Sequence, residues 1–260
     1  MTFKGKTVVV TGASMGIGAA IAEAFAAEGA HLILAARSRE RLEEVACRLR
    51  TMAASVTIAP TDVTNPADVA QLAEVSLQPT GRVDVLVNNA GVGMNGSIET
   101  LDLAALQQCL EVNLLGAVRV LQAFVPGMKA AGCGSIVQIS SVLGKVSAPF
   151  TGGYNASKFA LNAVSDALRL EMAPYGVRVV SVYPGSTESN FRSNALGPTG
   201  LAKVRYQRVP ASHVADRVLN AVRTGKRDVY TTFRDALLCW LGPRFPGLTD
   251  LVLRKAYGIR

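Results

Sequence analysis

Apolar positions in this chain fall into short unbroken runs separated by longer stretches of helical spacing. The first run, residues 6–11 (KTVVVT), is rich in β-branched side chains and reads as a strand buried on both faces. Residues 31–36 (HLILAA), 56–59, 83–88, 135–140 and 177–183 repeat that pattern. Between them lie helical segments. Residues 17–28 form an Ala-rich helix that Gly29 stops. Ser38 has the character of an N-cap and opens a charged helix to about Leu49. Further helices are predicted over residues 66–77, 103–129 and 153–174, and a last helix and strand over 213–223 and 229–231. Strands that are apolar throughout and alternate with helices build a parallel sheet covered on both faces. Right-handed crossovers then wind it doubly. No long linker or repeat interrupts the series, so residues 1–232 read as one doubly wound α/β domain.

Two stretches break the pattern. Residues 184–200 are too long and too rich in Pro and Gly for an ordinary connection, so a substrate loop is expected over about 185–210. Residues 233–260 extend beyond the last expected strand as two short apolar runs separated by Gly-Pro and Pro-Gly breakers. Arg234, Arg244, Arg254 and Lys255 flank these runs, and Trp240, the chain's single tryptophan, lies among them.

Composition narrows the possibilities. With 49% hydrophobic and 18% charged residues among 260, the chain has ample material for a core and is no disordered polymer. Cys47, Cys109, Cys133 and Cys239 are widely spaced, with no CxxC pair, and only His31 and His213 accompany them. That excludes a disulfide scaffold and a cysteine or histidine zinc site, and no metal is expected. No apolar run reaches the roughly 18–20 residues that span a bilayer. The N-terminus leads straight into a strand with no visible signal peptide, so the reducing cytosol is the expected compartment. The net charge of +8 is uneven: residues 1–200 carry 15 basic and 15 acidic side chains, residues 201–260 carry 12 and 4. That tail suits an anionic partner or simply a solvated face. It has no recognisable nucleic-acid motif, and no nucleic-acid partner is expected.

The chemistry begins directly after the first strand. Thr11-Gly12-Ala13-Ser14-Met15-Gly16-Ile17-Gly18 places glycines at relative positions 1, 5 and 7 and then enters a helix. Glycines let the backbone turn tightly and approach a pyrophosphate, and the helix N-terminus offers it free N–H groups. The position between strand and helix, rather than the glycines alone, carries the inference. Ala35-Ala36-Arg37-Ser38 follows the second strand, with no acid before Glu40. An acid there would hold a ribose 2′-hydroxyl, whereas Arg37 offers a fork to a 2′-phosphate. NADP(H) is therefore favoured over NAD(H). Asp62-Val63 ends the third strand, where a carboxylate can accept from an adenine amino group. Asn88-Asn89-Ala90-Gly91 ends the fourth, able to line a crevice and to bind the backbone across the sheet.

Tyr154 and Lys158 stand four apart, on one face of a helix. A tyrosine near pKa 10 is a poor acid–base catalyst at neutral pH, and a neighbouring ammonium stabilises its phenolate. Ser140 and Ser141 end the fifth of the long strands, where a hydroxyl can hold a substrate carbonyl. Strand alternation lets only one of them face the ligand.

Together these features resemble the short-chain dehydrogenase/reductase family. The TGxxxGxG turn (Thr11–Gly18), Asp62, NNAG (Asn88–Gly91), Asn113, a Ser-Tyr-Lys set and Pro184-Gly185 occur in family order over about residues 5–235. The resemblance implies a Rossmann-type domain. It selects Ser141, thirteen before the tyrosine, to position and polarise the carbonyl. It makes Tyr154 the general acid/base, Lys158 its modulator and a ribose ligand, and Asn113 part of a proton relay. Gly12, Ser14, Met15, Gly16, Ile17, Gly18, Arg37, Ser38, Asp62, Val63, Asn89, Ala90, Gly91, Tyr154, Lys158, Pro184, Gly185, Thr187 and Ser189 form the expected cofactor set. Residues 31–45 also resemble the NADP-binding segment of microsomal hydroxysteroid dehydrogenases. Met15 stands where many NADP members carry a base, and Ser189 where the family usually has Thr.

The expected activity is hydride transfer between NADP(H) and a carbonyl or alcohol, with a catalytically silent NADP(H)-sensing protein as the rival. Tyr and Lys are both present, which favours the enzyme. Val92, Met94, Val142, Leu143, Val146, Phe150, Ser186, Phe191 and Leu196 are the expected substrate walls, with Arg192 as a possible polar anchor. They are mostly apolar and suit a hydrophobic small molecule. Helices 103–129 and 153–174, apolar on more than one face, point with the family resemblance to a homodimer or homotetramer. The 233–260 extension is expected either to contact a membrane surface peripherally or to pack on the substrate pocket or a neighbouring subunit.

Overall fold

Strands β1 (Thr7–Thr11), β2 (His31–Ala36), β3 (Ser55–Pro60), β4 (Val85–Asn88), β5 (Gly134–Ile139), β6 (Val177–Tyr183) and β7 (Asp228–Tyr230) form one sheet. The computed structural model describes residues 2–188, 191–198 and 208–259. The spatial order is β3-β2-β1-β4-β5-β6-β7, and every neighbouring pair is parallel. The chain starts mid-sheet, winds out to β3, then crosses back to β4 and winds the other way. The order reverses between β1 and β4, and such a switch point opens a crevice beyond the strands' carboxyl ends.

Alternation along β1 explains the two cores. Val8 and Val10 point to one face, where they meet Ile21 and Phe25 of α1 (Gly16–Ala27), Leu42 of α2 (Arg39–Leu49) and Val218 of α7 (Ala211–Thr224). Val9 points to the other, toward Leu72 of α3 (Pro66–Ser76), Phe124 of α5 (Ala117–Ala131) and Leu168 of α6 (Gly152–Met172). The remaining helix of the domain, α4 (Leu103–Leu110), lies beside α6 at the crevice end.

The expected helix over residues 103–129 is in fact three pieces. Between α4 and α5 the backbone widens into a π-helical turn, Glu111–Gly116, centred on Asn113. Such turns concentrate at functional sites because the extra residue re-aims side chains. Helical spacing cannot reveal it, since the apolar pattern continues through. The whole stretch Leu103–Ala131 is also long and apolar enough to cross a membrane by length and composition, although it holds no unbroken apolar run of that length. Its Val120, Leu121, Phe124 and Met128 are buried on the sheet, and a covering helix satisfies the same test.

Residues 233–259 fold as two helices, α8 (Phe233–Leu241) and α9 (Pro246–Tyr257). Thr232 caps α8 through Asp235: its hydroxyl accepts from the Asp235 amide at 3.1 Å, and the Asp235 carboxylate accepts from the Thr232 amide at 3.0 Å. This reciprocal box removes two unsatisfied donors at the helix start.

Candidate active site

At the carboxyl end of the sheet lies a cavity of about 1250 Å³. Its floor is the β1–α1 turn. Gly12 and Gly16 adopt φ of 66° and 56°, in the left-handed region that favours glycine. Gly18 packs so closely beneath the turn that a Cβ there would sit 2.3 Å from the Gly12 carbonyl oxygen. The turn is fastened to β4. Asn89 Nδ2 donates to the carbonyls of Thr11 and Gly12 at 2.9 and 3.2 Å, and Thr11 Oγ1 accepts from the Asn89 and Ala90 amides at 2.9 and 3.1 Å. Asn88 Nδ2 donates to Ala117 O at 2.9 Å and ties β4 to α5. No side chain caps α1, so its first amides face the cavity beside Ser14, Met15 and Ile17.

The far end is lined by Arg37, Ser38, Asp62 and Val63. Asp62 Oδ1 accepts from Thr64 N and Oγ1 at 2.9 and 2.7 Å, which fixes the loop after β3. Ser38 Oγ accepts from the Arg41 amide at 3.3 Å and places Arg41 on the same wall as Arg37. Sequence reasoning missed Arg41; its place three residues after an N-cap was the available signal. Neither guanidinium pairs with a carboxylate among the described residues. An uncapped helix N-terminus at one end and two unpaired arginines at the other fit a dinucleotide bearing a 2′-phosphate.

The opposite wall carries Tyr154, Lys158 and Ser141. Both α6 residues are buried, at 9% and 4% exposure. Lys158 Nζ donates to Ile139 O at 2.9 Å and lies 5.9 Å from the Tyr154 ring centre. Burial lowers the Lys158 ammonium to about 8, although the Cys109 thiol nearby opposes that. Burial raises the Tyr154 hydroxyl above its ordinary value; Ser141 pulls the other way, and Cys109 adds to the rise. Burial of the tyrosine itself is the largest cause, and it works against the lowering expected from a neighbouring ammonium. The serines divide as alternation predicts. Ser140 Oγ donates to Asn162 Oδ1 at 2.6 Å, while Ser141 Oγ accepts from Leu143 N at 3.1 Å and borders the cavity.

Two expected site residues do not reach the cavity wall. Gly18 lies under the turn. Asn113 is fully buried and clasps Val92: its Oδ1 accepts from Val92 N at 2.7 Å, and its Nδ2 donates to Val92 O at 2.9 Å. The same Nδ2 donates to Ser157 Oγ at 3.0 Å and reaches Cys109 Sγ at 3.3 Å, a bracket that spacing alone did not suggest. Ala90, Gly91, Pro184, Gly185 and Thr187 do line the cavity. Ser189 lies outside the described residues, as does part of the expected loop at 185–210.

Of the expected substrate walls, Val92, Met94, Val142, Leu143, Val146, Ser186 and Phe191 border the cavity, as does Arg192. Leu196 sits behind Met94, and Phe150 turns its ring onto Tyr257 at 6.3 Å. The C-terminal helices add Asp235, Leu238, Leu253 and Tyr257 to the wall. No sequence period in the 28-residue tail pointed to those four. Asp235 also accepts from Thr231 Oγ1 at 2.6 Å, and that hydroxyl accepts from Gly185 N at 3.3 Å, so α8 is tied to the turn after β6.

A doubly wound parallel sheet whose switch-point cavity joins a glycine turn to a Tyr/Lys wall defines a nicotinamide-dependent oxidoreductase. The chain belongs to the short-chain dehydrogenase/reductase family: the short chain dehydrogenase pattern matches residues 6–197. It is 37% identical over 251 residues to mouse dehydrogenase/reductase SDR family member 7B, covering 93% of this chain and 78% of that one. A short-chain dehydrogenase/reductase from Burkholderia phymatum, solved with NAD, superposes with a TM-score of 0.87 at 28% identity, over 95% of this chain and 96% of that one. A short-chain dehydrogenase from Burkholderia cenocepacia, solved with NADP, gives 0.82 at 29% identity, over 97% and 99%.

Proposed function

We propose that the protein is an NADP(H)-dependent oxidoreductase that interconverts a carbonyl and an alcohol on a hydrophobic small molecule. The observation that carries this reading is the cavity itself: Tyr154 and Lys158 stand buried across from a helix N-terminus, with Arg37 and Arg41 at its far end. The arginines and the want of an acid at the end of β2 favour the phosphorylated cofactor. The bound nicotinamide supplies or accepts the hydride. Ser141 donates a hydrogen bond to the substrate oxygen and holds it near Tyr154. The Tyr154 hydroxyl gives that oxygen its proton during reduction and retrieves it during oxidation. Burial keeps this hydroxyl protonated across neutral pH, the form that reduction needs at its start. Lys158, charged below about 8, stabilises the phenolate left behind. Asn113 acts through Val92 as a positioning residue for the wall facing Tyr154.

Oxidation of NADPH and of NADH is followed against a panel of apolar ketones and aldehydes. Turnover with NADPH preferred supports the reading; cofactor binding without turnover points to the silent sensor. Tyr154→Phe removes one hydroxyl and no phosphate contact. It should lower turnover about 10²–10⁴-fold while NADPH affinity stays near wild type. Retention of more than about a tenth of the rate would contradict the assigned role. We also propose a homo-oligomer. Leu115 in the π turn and Phe159 and Leu170 on α6 are large apolar side chains exposed on helices whose other faces are buried. Light scattering at micromolar concentration tests it, and a monomer contradicts it.

A further inference from the structure

The last two helices have two faces with different jobs. On α8, Asp235 and Cys239 turn inward, while Phe233, Leu237 and Trp240 share the opposite face at i, i+4, i+7 spacing. On α9, Thr249, Leu253 and Tyr257 turn inward at i, i+4, i+8, and Leu248, Leu251, Val252 and Lys255 occupy the face away from them. The inner faces close one side of the cavity through Asp235, Leu238, Leu253 and Tyr257. Among the described residues the outer faces cover nothing. Of the eighteen large apolar side chains exposed among the described residues, nine fall between Phe233 and Ile259. That is half of them in about a tenth of the chain, far from the scatter an ordinary soluble surface shows.

Charge says what such a surface fits. Arg244, Arg254 and Lys255 lie on or beside these faces, and none makes an ion pair among the described residues. Arg244 stacks over the Trp240 ring, 4.7 Å from its centroid. The two acids of the segment differ: Asp235 is spent inward on Thr231 and Thr232, and Asp250 alone is exposed. Apolar side chains with a tryptophan among them, bordered by unpaired cations, match the boundary of an anionic bilayer. Neither helix is long enough to span one: α8 has 9 residues and α9 has 12.

We propose that the outer faces of α8 and α9 dock the enzyme on an anionic lipid bilayer, and that the cavity mouth they border draws its carbonyl or alcohol substrate from that bilayer. The second half rests on the reading of a hydrophobic substrate given above. The attachment of α9 suits a movable cover. None of its residues is fully buried, and it is held along the single line of Thr249, Leu253 and Tyr257. Tyr257 rests on Phe150, whose φ of 62° is the only positive value at a non-glycine residue among those described. A bulky residue in that region is strained and persists where its neighbours hold it.

The full-length protein is centrifuged with phosphatidylcholine vesicles and with vesicles that also contain phosphatidylserine. Trp240 emission is read in the same samples, since no other tryptophan contributes. Docking predicts co-sedimentation with the phosphatidylserine vesicles, a blue shift, and release by about 0.5 M salt. The double variant Leu251→Glu/Val252→Glu alters only the outer face of α9. It should partition at least tenfold less and lose turnover of a long-chain aldehyde carried in the vesicles, yet keep the wild-type rate on a water-soluble carbonyl. Vesicle binding by Tyr154→Phe protein, which cannot turn over, keeps docking separable from the chemistry. Three results overturn the proposal: wild-type protein that stays in the supernatant with both vesicles, double-variant protein that partitions like wild type, or a double variant whose mass by light scattering falls to that of a smaller oligomer. The last would assign this face to a second copy of the chain.

Discussion

At the cofactor end of the cavity the floor is backbone. The β1–α1 turn is closed by glycines, bonded to β4 through Asn89 and Thr11, and backed by Ile21 and Phe25 in a core with no exposure. At the substrate end the wall is side chain. Asp235, Leu238, Leu253 and Tyr257 reach it from helices of which the outer has no fully buried residue. The cofactor is a fixed ligand whose pyrophosphate must meet amides at hydrogen-bond distance, so its half has little freedom to vary. A hydrophobic substrate needs only an apolar surface of suitable shape, which many side chains supply, and it must be able to enter and leave. Rigidity and looseness in one cavity thus follow from what each end has to hold.

The sharpest way to break the contrast is at Gly18. A methyl group there would approach the Gly12 carbonyl oxygen to 2.3 Å and the Asn89 side-chain Nδ2 to 2.5 Å, and the Gly12 clash is with backbone that cannot step aside. Gly18→Ala should therefore cost about 1–3 kcal/mol or more in stability and most of the cofactor affinity. Thermal unfolding with and without NADPH reads both. A variant that melts like wild type and keeps its NADPH-dependent shift would show that the turn is softer than its packing implies.

Arg37 tests the same end without touching its backbone. Arg37→Asp removes the 2′-phosphate ligand proposed above, supplies a ribose acceptor and sets a like charge against that phosphate. Charge-assisted hydrogen bonds are worth about 1.5–3 kcal/mol, so NADP(H) affinity should fall about 10–100-fold and the preference should turn toward NAD(H). Arg41, exposed on the same wall, should leave a residual affinity that only Arg37→Asp/Arg41→Ala abolishes. An NADPH titration unchanged in the single variant would remove Arg37 from the site.

A smaller effect separates the chemistry from the scaffold. Burial depresses Lys158 to about 8 from an ordinary 10.5. As pH rises through about 8 the folded protein loses this proton, and turnover that depends on the ammonium should decline by about half at that midpoint. Stability should move the opposite way. Below about 8 the lysine is charged in both states and its burial opposes folding; between 8 and 10.5 the unfolded chain binds the extra proton, so stability rises with pH. A rate that stays flat to pH 9.5 would detach Lys158 from the rate-limiting step.

The same asymmetry governs what could be read from the sequence. The glycine turn, the end of β2, the NNAG segment and the Tyr/Lys pair are local patterns, each within a few residues. That only one of Ser140 and Ser141 can face the ligand follows from alternation within one strand, and the family resemblance picks Ser141. What escaped notice is non-local or geometric. The π turn at Glu111–Gly116 keeps the apolar spacing of an ordinary helix. Asn113 meets Val92, Ser157 and Cys109, the first two more than twenty residues away. Packing of the C-terminal extension on the pocket is among the sequence expectations, but which of its residues, Leu238, Leu253 and Tyr257, form the wall needs the whole fold in place.

The mildest prediction bears on how lightly the outer helix is built. Leu251 is 65% exposed on α9, opposite the line that touches the domain, whereas Val218 on α7 is fully buried between α1 and the sheet. Truncating each to alanine removes comparable apolar bulk from very different surroundings. Val218→Ala deletes two buried methyl groups and leaves a gap that close-packed neighbours fill only in part, so about 1–3 kcal/mol should be lost. Leu251→Ala removes side chain that was already in water, and its effect should stay within about 0.5 kcal/mol. Denaturant unfolding of the two variants side by side measures the difference. A loss at Leu251 approaching that at Val218 would mean that α9 is packed against something in solution, and the looseness assigned to this end of the cavity would have to be withdrawn.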